Sequence, residues 1–169
     1  WARVSTEGFE EGGYCMTVGF PGSTNRYMSS WGIENRMACD NAAMISVRGV
    51  KQAAWQKWMD ADRAIDLKYS TKYAHSSNYW KNSIGMNRAL KMLGVVARKE
   101  ALQRSIAEWV AQDEARQQKY GNMLAELKAD YKALRDAYRA FYFTYETMSG
   151  MEILKNARAL EAIMMADSA

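Results

Sequence analysis

From Tyr120 to Met148, apolar and aromatic residues recur in alternating steps of four and three: Tyr120, Leu124, Leu127, Tyr131, Leu134, Tyr138, Phe141, Tyr145 and Met148. That spacing is an a/d seam sustained over four heptads, a pattern that only a long helix can present on one side. Such a helix is about 44 Å long at 1.5 Å per residue. Its seam needs a second helix as cover. The Asp40–Leu93 region of the same chain, folding back antiparallel, is the natural partner. A coiled coil between two copies is the competing reading, because a seam does not name its partner.

The rest of the composition agrees with helices. One proline and eleven glycines in 169 residues leave long uninterrupted runs, rich in the strong helix formers Ala, Leu, Met, Lys, Arg and Glu. The length suits one domain with a short appendage and suffices for a core without disulfide staples. Twenty-three basic and nineteen acidic residues are mixed along the chain, for a net charge of +4. That is no concentrated basic stripe, so nucleic acid is not an expected partner. No run approaches the ~20 apolar residues of a membrane span, and no membrane partner is expected. Cys15 and Cys39 are too few for a disulfide framework and fit no zinc spacing. One falls on a strand and the other on a helix, which disfavours a bridge.

In chain order, Trp1–Gly13 is a polar connection without the apolar centre of a signal peptide. Tyr14–Phe20 (YCMTVGF) reads as one short strand between glycine-rich turns. A lone strand needs a sheet, so this opening reads as the interior of something larger. From Ser29 everything is helical: a capped run with Trp31, Ile33 and Met37, then Asp40–Asp62 with Gly49 as a point of bending. Met44, Val47, Val50, Trp55, Trp58 and Met59 supply the second run's apolar contacts. A third run ends near Gly94. Val95–Asp113, the seam helix and Met151–Asp167 complete the set. The expected fold is all-α, an antiparallel bundle of about five helices with an N-terminal strand stub. Residues 1–28 are separate from the helical domain at 29–169.

The third run, Tyr69–Leu93, has an unusual face. At 100° per residue Tyr73, Trp80 and Ile84 project to one side and Thr71, His75, Asn78, Asn82 and Gly85 to the other. Solvated helix faces usually carry Lys, Glu, Gln or Ala; Asn, Ser, Thr and Gly are weaker helix formers. Two carboxamides one turn apart either meet a neighbouring helix through amide hydrogen bonds or offer donors and acceptors to a ligand. His75 is the sole histidine. Its sequence neighbours Ser76 and Ser77 point away from it on a helix, so no self-contained Ser–His–Asp triad is expected. Carboxylates and the one histidine lack metal-ligand spacing, and GFPGST lacks the Gly-Lys-Ser/Thr ending of a phosphate loop. No catalytic residue, metal or cofactor is expected in the chain.

Three segments, GFPGSTNRYMSSWGIENRM (Gly19–Met37), VRGVKQAAW (Val47–Trp55) and KYAHSSNYWKNSIGMNR (Lys72–Arg88), together resemble the bacterial serine dipeptidyl-peptidases of the seven/eleven type. The resemblance covers nearly the whole chain and weakens after Gln112. It implies a chymotrypsin-like double β-barrel with an inserted helical domain capping its cleft. Tyr14–Phe20 would then be a barrel strand and Ser29 onward the cap. The triad would lie in barrel segments before and after this stretch. The resemblance further implies that the parent removes dipeptides from free N-termini of peptides. An asparagine of the cap would bind the substrate α-ammonium: Asn78, or Asn82 one turn on. Implied partners are peptide substrates and the catalytic barrel of the same parent chain, and a homodimeric parent is compatible with them. The implied location is the periplasm or cell surface. Closure about a hinge at Pro21–Asn25 is the expected motion.

Overall fold

The computed structural model describes residues 3–20 and 22–167. Helices α1 (Ser30–Asn35), α2 (Asn41–Ala61), α3 (Arg63–Met92), α4 (Val95–Ala111), α5 (Glu114–Tyr120), α6 (Met123–Met148) and α7 (Glu152–Asp167) follow in order. A π-helical turn at Arg36–Asp40 joins α1 to α2. The all-α bundle expected from the sequence is the fold observed, its five long helices being α2, α3, α4, α6 and α7.

Local chemistry sets the ends. The Ser29 side chain accepts the Gly32 N–H at the start of α1, and Asp62 and Asp113 accept those of Ala64 and Arg116 at the starts of α3 and α5. Gly94, at φ +58°, ends α3 and turns directly into α4. Gly150, at φ +78°, separates α6 from α7.

Helices α2 and α3 form an antiparallel hairpin. Trp80 Nε1 donates to the Ile45 carbonyl (3.0 Å), Ser83 Oγ lies 3.2 Å from Met44 Sδ, and Asn41 Nδ2 donates to Asn87 Oδ1 (2.7 Å). Helix α2 runs unbroken through Gly49. A Cβ there would sit 3.4 Å from the Trp80 indole nitrogen, an ordinary van der Waals contact, so Trp80 packs directly over this position.

Helix α6 packs differently from the sequence expectation. Asn35 Nδ2 donates to the Tyr131 carbonyl (3.0 Å), Cys39 Sγ to that of Arg135 (3.6 Å), and Arg48 is paired with Glu146. Partners advance together along both segments, so α6 runs parallel to α1, the π turn and α2 rather than folding back antiparallel on α2. The helix also begins only at Met123, because Gly121 and Asn122 interrupt the predicted Tyr120–Met148 run. The buried face is not the heptad seam. Tyr120, Leu124 and Tyr131 are half-buried, whereas Leu127, Leu134, Tyr138, Phe141, Tyr145 and Met148 are exposed. Glu146 is the α6 residue that is buried instead, paired with Arg48, while Asn35 and Cys39 meet the backbone carbonyls of Tyr131 and Arg135, because buried polar groups require partners.

The apolar core is correspondingly thin. Ile33, Cys39, Ala43 and Val110 are the buried hydrophobic residues described, while Asn35, Asp40, Asn41, Gln52, Ser76, Ser77, Ser83 and Glu146 are among the buried polar ones. Val50 and Trp58, expected to supply apolar contacts, are exposed, and so are Leu102, Trp109, Ile153, Leu160, Ile163 and Met164. An apolar groove of about 1000 Å³ runs between the C-terminal part of α6 and α7, lined by Phe141, Tyr145, Met148, Met151 and Leu154.

Residues Tyr14–Phe20 form no strand. They are exposed and lie outside any ladder among the described residues, as expected of an extended segment whose backbone has no partner strand. Tyr14, Met16, Val18 and Phe20 alternate along it, all exposed. Cys15 is exposed and Cys39 buried, both as free thiols. Pro21, in the expected hinge, lies outside the described residues; Gly22–Asn25 are exposed.

Candidate functional site

Helix α3 begins at the Asp62 cap and continues unbroken for 30 residues to Met92. Its buried side is made of small residues: Ser76, Ser77 and Ser83. Tyr73 and Trp80 are half-buried as the spacing indicates, while Ile84 is 38% exposed and sits at the margin. Small residues let α3 approach α2 closely, and the Trp80–Ile45 hydrogen bond fixes the helix rotation.

That rotation leaves Thr71, His75, Asn78, Asn82 and Gly85 in solvent. Among the described residues this face meets no neighbouring helix, and the interhelical amide contact of α3 is made by Asn87 with Asn41. Among the described residues, the side chains of Asn78 and Asn82 have no hydrogen-bond partner. A Cβ added at Gly85 would meet nothing within 4 Å. The face is thus two free carboxamides one turn apart above open space, each with one acceptor and two donor hydrogens available. His75 is exposed and packs its ring on Tyr79 at 5.1 Å; Ser76 and Ser77 are buried on the other side of the helix.

Behind the face lies a buried ionic network that the sequence reading did not anticipate. Arg48 grips Glu146 through both carboxylate oxygens (Nε to Oε2 2.7 Å, Nη2 to Oε1 3.0 Å). The Arg48 guanidinium lies 5.1 Å from the centre of the Tyr79 ring. Lys51 donates to the carbonyls of Glu146 and Ser149, capping the end of α6. Arg36 pairs with Asp40 at 2.9 Å. Burial pushes the Asp40 carboxyl above its usual range, Arg36 opposing this and Glu146 adding to it. Its Oδ1 is buried without a hydrogen-bond partner. Burial likewise raises the Cys39 thiol and the Tyr142 phenol, and lowers the Lys51 ammonium. The signal that could have revealed this network is Arg48 and Lys51, one turn apart on the side of α2 that also carries Met44, Ile45 and Trp55.

Lys72 and Glu152 form an exposed ion pair that ties the start of α7 to α3. Among the described residues no cluster of three or more His, Cys, Asp or Glu could hold a metal ion. No described helix is long and apolar enough to cross a membrane.

Fold and site together define an all-helical bundle whose longest helix opens a carboxamide face to solvent. The chain belongs to the Peptidase S46 family, which matches residues 1–168. It is 49% identical over 164 residues to Dipeptidyl-peptidase 7 of Porphyromonas endodontalis, an alignment covering 96% of this chain and 20% of the relative. Against Dipeptidyl-peptidase 7 of Porphyromonas gingivalis the identity is 44%, covering 96% and 23%. The Asp/Glu-specific dipeptidyl-peptidase of Porphyromonas gingivalis is 31% identical over 155 residues, covering 91% and 21%. The chain therefore spans about a fifth of the length of these curated relatives.

Proposed function

We propose that this chain is the helical cap of a serine-type dipeptidyl-peptidase that releases dipeptides from free peptide N-termini, and that its α3 face reads the substrate α-ammonium. The observation that carries the reading is the pair of unpartnered, solvent-open carboxamides at Asn78 and Asn82 on a helix anchored by Trp80. An ammonium brings three donors, and the Asn78 oxygen accepts one of them. The positive charge calls for an acidic partner as well, supplied by the remainder of the parent chain. Anchored on a continuous helix, Asn78 measures the distance from the terminus to the scissile bond and so sets the two-residue register. The catalytic triad belongs to a barrel domain of the parent, over which the cap closes, in a periplasmic or surface-exposed enzyme. The exposed alternating stretch Tyr14–Phe20 supports the barrel connection, since its backbone needs a sheet.

The test is kcat/KM of the full-length parent for a free dipeptidyl substrate and its N-acetylated twin. Asn78→Ala is expected to lose ~1–3 kcal/mol of the preference for the free amine. An unchanged preference in Asn78→Ala and in Asn82→Ala removes the reading.

The exposed seam of α6 favours a second reading, a dimerisation module built on Leu127, Leu134, Tyr138, Phe141, Tyr145 and Met148. Sedimentation of this chain over a hundredfold range of concentration separates the two readings. A dimer that dissociates in Leu134→Glu/Phe141→Glu supports the module, and a monomer throughout dismisses it.

A further inference from the structure

Arg48 and Glu146 form the most deeply buried ion pair among the described residues, with side chains 16% and 2% exposed. A buried pair adds little net stability, because desolvation of both ions offsets their attraction. What the pair does impose is orientation: a guanidinium fork gripped at both carboxylate oxygens has one direction in which to lie. That direction brings it to 5.1 Å from the centre of the Tyr79 ring on α3. Tyr79 in turn packs against His75 at 5.1 Å. It is the residue next to Asn78.

The buried side of α3 at this level is Ser76, Ser77 and Ser83, which give little apolar packing. Gly49 on the opposing helix contributes no side chain. Two contacts of large side chains join this part of α3 to α2: Trp80 with the Ile45 carbonyl and Tyr79 with Arg48. Lys51 ties the two carbonyls at the end of α6 to the same turn of α2, so the Glu146 carboxylate is itself fixed. Gln52, buried, closes the motif by donating to the Arg48 carbonyl at 3.2 Å.

We infer that Arg48 is a positioning residue for the α3 face: held by Glu146, it braces the Tyr79 ring, and that brace fixes Asn78 and Asn82 against the bundle. The inference rests on the proposed reading of the substrate terminus by this face. It gives the VRGVKQ segment a role at the site although none of its side chains lies on the exposed face.

The experiment uses the full-length parent and the ratio of kcat/KM for a free-amine dipeptidyl substrate to that for its N-acetylated twin. A variant that merely loses folded protein lowers both rates equally and leaves the ratio alone. Tyr79→Leu and Arg48→Met are expected to lower the ratio roughly tenfold, through KM of the free-amine substrate, since ångström-scale misplacement costs up to about a hundredfold. Tyr79→Phe, which keeps the ring face, is expected to retain it. Should Arg48→Met fail to fold, Tyr79→Leu at a side chain 44% exposed carries the test. If Asn78→Ala lowers the ratio while Tyr79→Leu and Arg48→Met do not, the brace is overturned and the terminus reading stands. If neither Asn78→Ala nor Asn82→Ala moves the ratio, the terminus reading fails. Amide exchange over residues 73–81 then decides the brace alone. Faster exchange in Tyr79→Leu upholds it, and wild-type exchange overturns it.

Discussion

At the residue scale, two positions show how closely the interior is specified. A Cβ at Gly32 would come within 2.8 Å of the Tyr131 hydroxyl and 2.7 Å of Met28 Cγ. Tyr131 also accepts from Asn35 through its carbonyl, which restrains that turn of α6. Gly32→Ala is expected to destabilise the bundle by about 1–3 kcal/mol, read from urea unfolding. Asp40 is the second position. Burial raises its carboxyl above the ordinary value of 3.8, so the folded chain holds this proton more tightly than the unfolded one. Its contribution to stability is most favourable below that value. It declines as pH rises through the folded-state value, above which the full cost of the buried charge applies. Asp40→Asn cannot ionise. Its Tm relative to wild type should therefore shift in the variant's favour as pH is raised from about 4 to 7; a parallel pair of Tm curves would contradict the assignment.

At the element scale, helix ends and helix rotations have different origins. Gly94 has open space around it, so its requirement is conformational: φ is +58°, where a side chain strains the backbone. Gly94→Ala should cost about 1–2 kcal/mol in thermal unfolding, and Gly94→Asn less, because Asn tolerates the left-handed region. The cap at Ser29 and the stop at Gly94 were legible as letters, whereas Asp62 and Asp113 were read only as the ends of helical runs and not as the caps they are. The rotation of α6 was not. Its apolar seam is the strongest periodic signal in the chain, yet the helix buries Glu146 and leaves most of the seam exposed. Asn35 and Cys39 meet the carbonyls of Tyr131 and Arg135, Arg48 meets the Glu146 carboxylate, and leaving such groups unpaired in the interior costs about 1–3 kcal/mol each.

At the scale of the whole molecule, the bundle has a small apolar core and a large exposed apolar surface. The α6–α7 groove and the seam beside it leave Phe141, Tyr145, Ile153, Leu160 and Met164 in solvent. The segment before α1 touches the bundle through Lys99, which donates to the Arg26 carbonyl at 2.6 Å. Removing residues 1–24 keeps that contact and should change stability by less than about 0.5 kcal/mol, as measured by the Tm of the shortened and full chains. A larger loss would mean that the exposed segment stabilises the bundle.

Helix content, some helix ends and the composition of the α3 face follow from the sequence alone, because propensity, capping and 3.6-residue periodicity act over a few neighbouring residues. Asn78 and Asn82 were identifiable by that route. Whether they face a neighbour or solvent was not, since the answer depends on Trp80 finding Ile45 and on Asn87, rather than Asn78, finding Asn41. The parallel course of α6 and the Arg48–Glu146 clamp join residues about a hundred positions apart. No local pattern encodes such a pairing. It is decided only when the folded chain must give every buried charge and amide a partner.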